Sequence, residues 1–250
     1  MQKFNSAGVE IAYEVWGEGS PVLLIHGFAS TAFVNWRDTH WVKVLNEAGY
    51  QVIALDNRGH GQSEKLYDSA LYSAQIMADD ALHLLDHLGM QKASVMGYSM
   101  GARITAFLTM AHPDRVRRAV FAGLASRMIT GVGGAEEIAL ALEADSAASV
   151  EDRGARGFRL FADQTKSDRR ALAACIRSSR VKIKAEALAA ISVPVLVVAG
   201  ELDDVAGNVD ELVAAIPNSR GVVLPKRNHM NAVGDRAYKD AVLGFLAEND

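Results

Sequence analysis

The sequence predicts one α/β domain with a mostly parallel central sheet flanked by helices, and a short helical cap inserted between two strands. Short apolar runs alternate with helical patterns along most of the chain, which indicates α/β topology. The inner runs are rich in Val, Ile and Leu and barely alternate with polar residues, as strands buried on both faces do. The length of 250 residues suits one large domain carrying a modest insertion.

The strands are predicted from runs bounded by turn and loop residues. The first stretch, residues 4–16, favours two strands around the turn Ser6-Ala7-Gly8. Further strands are predicted at residues 22–26, 52–56, 93–98, 116–123, 193–200 and 221–224.

The helices are predicted from apolar residues spaced three and four apart, at residues 75–88, 104–111 and 238–246. The second of these stripes ends at His112-Pro113, where proline cannot continue a helix. Residues 124–190 contain no convincing strand. We therefore expect a core formed by residues 1–123 and 191–250, with residues 124–190 as the helical cap.

Composition excludes several classes of function. The net charge of −4 and the pI near 6.0 do not suggest a general nucleic-acid binder. No apolar run approaches the ~20 residues needed to span a bilayer, and the N-terminus lacks the features of a signal peptide. The single cysteine, Cys175, cannot form an internal disulfide and fits a reducing compartment. We expect a cytoplasmic protein whose partner is a small molecule, and the sequence does not decide between a monomer and a homodimer.

A nucleophile motif follows the strand at residues 93–98. The sequence Gly97-Tyr98-Ser99-Met100-Gly101 has the form G-x-S-x-G between a predicted strand and a predicted helix. This context favours Ser99 as a nucleophile on a sharp turn, with the unpaired N–H groups of a helix N-terminus behind it. The alternative is an ordinary glycine-rich turn.

A second turn, His26-Gly27-Phe28, follows the strand at residues 22–26. It can aim the Phe28 backbone N–H at a developing oxyanion, paired with the N–H of Met100. The alternative is an ordinary strand-to-loop turn with a buried His26.

A serine nucleophile needs a base, and the base needs a carboxylate that orients it. Of the seven histidines, His229 lies between the last predicted strand and the last helix, where such a base belongs; a surface-loop histidine is the alternative. The acid follows the strand at residues 193–200. Asp203 is the first choice, Asp204 the second, and Glu201, nearer to the strand, is less favoured.

Two further groups of side chains are weaker candidates. His83 and His87 have the spacing of a surface metal site, but no further ligand is identifiable and a solvated helix face is the favoured interpretation. Residues 150–185 contain ten Lys and Arg and four Asp and Glu, a local charge of +6. If Arg156, Arg159 or Arg177 faced the active site, an anionic substrate would be favoured. Solvated amphipathic helices, with Phe158, Leu160 and Phe161 turned inward, are the favoured alternative.

Together these motifs resemble the α/β-hydrolase fold superfamily over nearly the whole chain. Residues 26–28 look like its oxyanion loop, residues 97–101 like its nucleophile elbow, and residues 200–203 like its G-x-x-D acid turn, which supports Asp203. Residues 56–63 resemble its D-x-R-G-x-G-x-S turn, a mainly structural signature. Two positions depart from the family pattern: Asn228 stands where glycine usually precedes the histidine, and Gly207 replaces a common proline.

The resemblance implies a serine hydrolase, most similar to small esterases, enol-lactonases and C–C hydrolases. Ser99 argues against dehalogenases and epoxide hydrolases, which use aspartate as nucleophile, and Ala29 argues mildly against cofactor-free perhydrolases, which often have proline there. Ester hydrolysis through an acyl-enzyme, with no metal or organic cofactor, is the expected reaction. C–C bond or lactone hydrolysis and a non-enzymatic ligand sensor are the alternatives. Candidate pocket walls are Phe28, Trp36, Tyr98 and Met100, with core packing as their alternative role.

Overall fold

The computed structural model describes residues 1–248, which contain one eight-stranded sheet. Numbered in chain order, the strands are β1 (Gln2–Ser6), β2 (Val9–Trp16), β3 (Ser20–Ile25), β4 (Tyr50–Leu55), β5 (Ala93–Tyr98), β6 (Val116–Ala122), β7 (Val195–Gly200) and β8 (Ser219–Leu224). Their spatial order is β1-β2-β4-β3-β5-β6-β7-β8. β2 pairs antiparallel with β1 and β4, and all other neighbouring strands are parallel. The predicted fold class is therefore confirmed.

The helices connect these strands. They are α1 (Trp41–Glu47), α2 (Ala74–His87), α3 (Met100–Ala111), α4 (Arg127–Thr130), α5 (Ala135–Glu143), α6 (Arg153–Gln164), α7 (Arg169–Ser179), α8 (Ala185–Leu188), α9 (Val209–Ala215) and α10 (Arg236–Leu246). Single helical turns lie at Phe33–Arg37, Ser69–Leu71, Pro113–Arg115 and Ala147–Ser149. Within residues 1–248, no helix is both long enough and apolar enough to cross a bilayer.

Apolar layers cover both faces of the sheet. Successive side chains of a strand point to opposite faces, so in β3 Leu23 and Ile25 join one layer while Val22 and Leu24 join the other. The first layer includes residues of α2, α3 and α9, and the second includes residues of α1 and α10. Each fully buried aliphatic side chain contributes about 1.5–3 kcal/mol, which explains why the inner strands are apolar on both faces.

Between β6 and β7 the chain forms helices α4 to α8 and no strand. We call residues 124–190 the helical segment. On α6 the buried stripe consists of Ala155, Arg159 and Ala162, at the i, i+4, i+7 spacing of one helix face. The prediction that Leu160 turns inward is wrong: it lies outside this stripe and its residue surface is 54% exposed.

Of the two histidines of α2, His87 is exposed, in keeping with a solvated helix face, whereas His83 is half-buried; both contact residues of β1 or β2. His83 Nδ1 lies 2.9 Å from the hydroxyl of Ser6. The His87 ring stacks on Phe4, and its Nε2 lies 3.1 Å from the Tyr13 hydroxyl. Among residues 1–248, no group of three or more His, Cys, Asp or Glu residues is arranged to hold a metal ion.

Candidate active site

Ser99 sits in a strained turn between β5 and α3. Its backbone angles, φ 55° and ψ −112°, are unusual for a residue with a side chain. A Cβ atom on Gly97 would lie 2.0 Å from the Gly101 carbonyl oxygen, and one on Gly101 would lie 2.0 Å from the oxygen of Ile25. Only glycine therefore lets β3, β5 and α3 approach closely enough to raise Ser99 above the sheet edge.

The structure brings Ser99, His229 and Asp203 together from three loops at the carboxyl ends of β5, β8 and β7. His229 Nε2 lies 3.0 Å from Ser99 Oγ, and His229 Nδ1 lies 2.9 Å from Asp203 Oδ2. A carboxylate only accepts hydrogen bonds, so Nδ1 carries the proton and Nε2 faces the serine as the acceptor. Asp203 Oδ1 also accepts from the backbone N–H groups of Val205 and Ala206, which fixes the carboxylate.

The other acidic residues of this turn point elsewhere. Asp204 is exposed, and Glu201 Oε2 accepts from the backbone N–H of Lys226, which ties the loop after β7 to the loop after β8. Of the three carboxylates that the sequence left open, Asp203 is the one that contacts His229.

Tyr98, a candidate pocket wall from the sequence, does not line the cleft; it forms a hydrogen bond to the backbone of His229. Its hydroxyl donates a 2.7 Å hydrogen bond to the carbonyl oxygen of His229, and its ring is buried. Burial raises the pKa of Tyr98, so this hydroxyl remains a donor at neutral and moderately alkaline pH. Tyr98 therefore positions the loop that carries His229.

The loop after β3 runs directly beside Ser99. A Cβ atom on Gly27 would lie 3.4 Å from the Cβ of Ser99, and the Gly27 N–H donates to Asn35 Oδ1 at 3.0 Å. The backbone N–H groups of Phe28 and Met100 have no hydrogen-bond partner among residues 1–248. Two unpaired donors beside a serine hydroxyl are what an oxyanion site requires.

The buried histidines of this region are structural. His26 Nδ1 donates to the Gly27 carbonyl oxygen at 2.7 Å, and its Nε2 accepts from the Asn57 N–H at 2.9 Å. Burial lowers the pKa of His26 to about 4. Burial, with the neighbouring His26 second, lowers the pKa of His60 to about 3. Both imidazoles are therefore neutral at pH 7 and hold the loop below Phe28.

The turn at residues 56–63 is also structural. Asp56 accepts hydrogen bonds from the backbone N–H groups of Ala32 and Gln62, at 2.8 Å each. Arg58 forms a buried ion pair with Asp80 at 2.7 Å. These contacts tie the turn to α2 and to the chain that follows the loop beside Ser99.

A cleft opens at Ser99, and its open space of about 400 Å³ is continuous with solvent. Residues of the core and of the helical segment share its lining, which consists of Phe28, Ser99, Met100, Arg103, Leu124, Val132, Phe158, Ile176, Ser179, Arg180 and Val205. Phe28 and Phe158 meet edge to face across it, with ring centroids 5.8 Å apart. Trp36 does not line the cleft, because it is fully buried and packs on Trp41 in the core.

Comparison with known proteins decides the family. A family model described as "alpha/beta hydrolase fold" matches residues 20–166, more than half of the chain. The chain belongs to the alpha/beta hydrolase fold family. Among its relatives, a non-heme chloroperoxidase from Kitasatospora aureofaciens is 39% identical over 45% of this chain and 40% of its own length. A 2-hydroxymuconate semialdehyde hydrolase from Pseudomonas sp. (strain CF600) is 37% identical over 48% and 42%. This chain thus spans less than half the length of these curated relatives.

Solved structures match over almost the full chain. A hydrolase from Pseudomonas aeruginosa PA01 has a TM-score of 0.81 and 27% identity, covering 99% of this chain and 98% of its own. The enol-lactonase from Burkholderia xenovorans LB400 has a TM-score of 0.83 at 24% identity, covering 99% and 100%. The latter likeness is one of fold.

Two departures from the hydrolase family pattern have local explanations. Gly207, in place of a proline, has φ +79°, which the proline ring forbids. Asn228, in place of a glycine, accepts from the N–H groups of Met230 and Asn231 and so closes the turn around His229. Each replacement suits the turn in which it stands.

The basic residues singled out in the sequence lie away from the cleft. Arg159 is buried, not solvated, and donates to the carbonyl oxygens of Ala141 and Ala144. Arg177 pairs with two surface carboxylates, and Arg156 is half-buried outside the cleft lining.

Sequence reasoning missed the two arginines that do line the cleft, Arg103 and Arg180. Two signals pointed to them. Arg103 stands one helical turn after Ser99, and Arg180 falls within the basic stretch at residues 150–185.

Proposed function

We propose that this protein is a serine hydrolase that cleaves an ester or related carbonyl compound through an acyl-enzyme. Ser99 is the nucleophile, His229 the general base and then acid, and Asp203 the carboxylate that orients His229. The observation that carries this proposal is the continuous hydrogen-bond chain from Ser99 Oγ through His229 to Asp203.

Attack begins when His229 Nε2 removes the Ser99 proton as Oγ bonds to the substrate carbonyl carbon. Asp203 keeps Nδ1 protonated and stabilises the imidazolium that forms. The Phe28 and Met100 N–H groups, which have no partner within the described chain, would bind the oxyanion of the tetrahedral intermediate. Loss of one such donor typically costs about 3 kcal/mol of transition-state stabilisation.

The intermediate collapses when the imidazolium gives its proton to the leaving alcohol, and an ester of Ser99 remains. His229 then takes a proton from water, whose oxygen attacks the acyl carbon. The second tetrahedral intermediate releases the acid and returns the proton to Ser99. We propose that the helical segment acts as a cap, since Phe158, Ile176 and Arg180 supply the outer wall of the cleft.

Hydrolysis of a C–C bond or a lactone on the same three residues is the second candidate. The 37% identity to a 2-hydroxymuconate semialdehyde hydrolase favours including it, although the match covers 42% of that protein. Epoxide hydrolases are also among the relatives; the aspartate nucleophile of such enzymes is replaced here by Ser99.

The deciding experiment is reaction with a neutral fluorophosphonate probe, followed by intact-mass measurement. We expect rapid labelling at one site that both Ser99→Ala and His229→Ala abolish. The matched controls are Ser192→Ala and His112→Ala, which change a serine and a histidine outside the cleft. These controls should label like the wild type.

Labelling that persists in Ser99→Ala would overturn the assignment of the nucleophile. A wild-type protein that resists both this probe and a smaller one would instead support a ligand sensor built on the same fold. With labelling established, a panel of esters, lactones and vinylogous diketones distinguishes ester hydrolysis from the second candidate.

A further inference from the structure

Two arginines line the cleft that opens at Ser99. Arg103 lies on α3 and Arg180 directly follows α7. We call them the arginine pair. Arg103 is 2% exposed and Arg180 is half-buried, and both side chains line the same cleft as Ser99.

Neither member of the arginine pair meets a carboxylate within residues 1–248. Arg103 Nη1 donates to the carbonyl oxygens of Met128 and Val181, and Arg180 Nη1 donates to that of Gly133. Each guanidinium has five N–H donors, so most of them remain free for another acceptor. Arg177, three residues before Arg180, shows the contrast, because it is neutralised by two glutamates.

The two positive charges are held close together in a poorly solvated place. Burial and, second to it, the neighbouring charge of Arg180 lower the pKa of Arg103 to about 10. Burial also lowers the pKa of Arg180, and the negative charge of Glu137 offsets only part of that effect. Both groups are still charged at pH 7, and unpaired charge at such a site is destabilising. An anion in the cleft would relieve both effects.

A buried hydroxyl completes this wall. Ser179 lines the cleft, and its buried Oγ has no oxygen or nitrogen hydrogen-bond partner among residues 1–248; its neighbour is the buried thiol of Cys175. A thiol sulfur is only a weak acceptor, so rotation of the Ser179 hydroxyl towards a ligand oxygen in the cleft would give it a stronger partner. Guanidinium and hydroxyl donors together match the geometry of a carboxylate.

We propose that the arginine pair and Ser179 bind a carboxylate of the substrate, so that the protein hydrolyses esters or related carbonyl compounds bearing a second, free carboxylate. This inference rests on the proposed function. Ser99 directly precedes α3, and Arg103 lies in the first turn of α3, about one helical turn, ~5.4 Å, further along the axis. Helix side chains lean towards the N-terminus, so a short spacer joins the scissile carbonyl to the carboxylate.

The test compares monoethyl glutarate with its neutral counterpart, ethyl glutaramate, which differs by replacement of the free carboxylate with an amide. Succinate and adipate pairs vary the spacer. For at least one length we expect wild-type kcat/KM to be at least tenfold higher for the anionic ester. Arg180→Gln should reduce this ratio at least tenfold, and Arg180→Lys should reduce it less.

Arg156→Gln is the control, since it removes a charge from the helical segment outside the cleft lining. It should keep the wild-type ratio. Labelling of Arg180→Gln by the neutral fluorophosphonate shows that the variant is folded and that Ser99 is still activated. Equal kcat/KM for charged and neutral esters of every length would overturn the carboxylate subsite while leaving the serine hydrolase intact.

Calorimetric titration of the wild type with free glutarate, succinate and adipate gives a readout that needs no turnover. We expect binding that Arg180→Gln weakens at least tenfold. Should the serine fail to label while a dicarboxylate binds in this way, the proposed function fails and the anion site stands. Inorganic phosphate that binds as tightly as all three dicarboxylates would assign the site to a free anion and overturn a substrate role.

Discussion

Two groups of residues at or beside the cleft differ in how completely their polar groups are paired: Ser99, His229 and Asp203, which we call the sheet-edge wall, and the arginine pair, which we call the recognition wall. On the sheet-edge wall, Ser99, His229 and Asp203 satisfy one another, and Asp203 accepts two further backbone N–H groups. On the recognition wall, Arg103 and Arg180 form no ion pair with a carboxylate among the described residues. The first wall is assembled without a ligand, whereas the second has free donors that a ligand can occupy.

This difference separates chemistry from recognition. Catalytic groups gain most from fixed geometry, because reorganisation during reaction raises the barrier. Binding groups gain from partners that only the right substrate supplies, because other substrates then leave buried donors unpaired. The two walls should therefore respond differently to substitution.

The largest expected effect comes from removing the charged hydrogen bond between Asp203 and His229 in the sheet-edge wall. In Asp203→Asn the amide no longer requires a proton on His229 Nδ1, so the imidazole favours the wrong tautomer. We expect kcat to fall by about 10⁴-fold with the fold unchanged, as measured on the best ester from the substrate panel.

Asp204→Asn is the matched control, because Asp204 is adjacent but exposed and does not contact His229. It should keep kcat within a factor of two. Equal losses in the two variants would mean that the shared turn, and not the Asp203 carboxylate, supports activity.

The second prediction concerns the close approach of α3 and β3, which positions Ser99 in the sheet-edge wall. Gly101→Ala places a Cβ atom 2.0 Å from the Ile25 carbonyl oxygen, a backbone atom that cannot rotate away. We expect the free energy of unfolding in urea to fall by about 3 kcal/mol. Gly157→Ala, in the interior of α6 with nothing within 4 Å, should raise it by about 0.5–1 kcal/mol. Similar changes in both variants would contradict the close approach of α3 and β3.

The third prediction uses the buried histidines beneath the loop of Phe28. Their pKa values, about 4 for His26 and about 3 for His60, lie below the ordinary value of 6.5. Below pH 6.5 the unfolded chain therefore binds protons that the folded protein excludes. Stability falls as the pH drops from 6.5 towards 4, by up to about 1.4 kcal/mol per pH unit for each histidine.

Carboxylates also titrate near pH 4, so the measurement compares the pH dependence of stability in the wild type with that in a variant of His60. In His60→Asn the side-chain amide can still donate towards the Arg58 carbonyl oxygen, which lies 3.0 Å from His60 Nδ1. The slope of unfolding free energy against pH between 6.5 and 5 should be shallower in this variant. If the wild type and His60→Asn show the same slope, the pKa of His60 is not lowered by folding.

The same division between walls explains what the sequence could predict. The residues of the sheet-edge wall follow predicted strands directly, and parallel strands bring their carboxyl ends to one edge, so Ser99, Asp203 and His229 could be placed together. Trp36 could not be separated from the core, because its exposure depends on the packing of α1 and α10. The presence of Arg180 in the cleft depends on how α7 packs over the sheet, and helical periodicity alone does not determine that packing.

The smallest expected effect concerns Tyr98, whose hydroxyl donates to the His229 carbonyl oxygen at 2.7 Å. Tyr98→Phe removes one hydrogen bond, worth about 1 kcal/mol, and loosens the loop that holds His229 against Ser99. We expect kcat to fall up to about tenfold with little change in KM, and Tm to fall by roughly 2–4 °C. Tyr13→Phe removes a hydroxyl bonded to Gln2, far from the cleft, and is the matched control for stability. An equal decrease in Tm in both variants, with a decrease in kcat only in Tyr98→Phe, would mean that the Tyr98 hydrogen bond maintains the geometry of His229. If kcat of Tyr98→Phe instead equals that of the wild type, Tyr98 is only a packing residue.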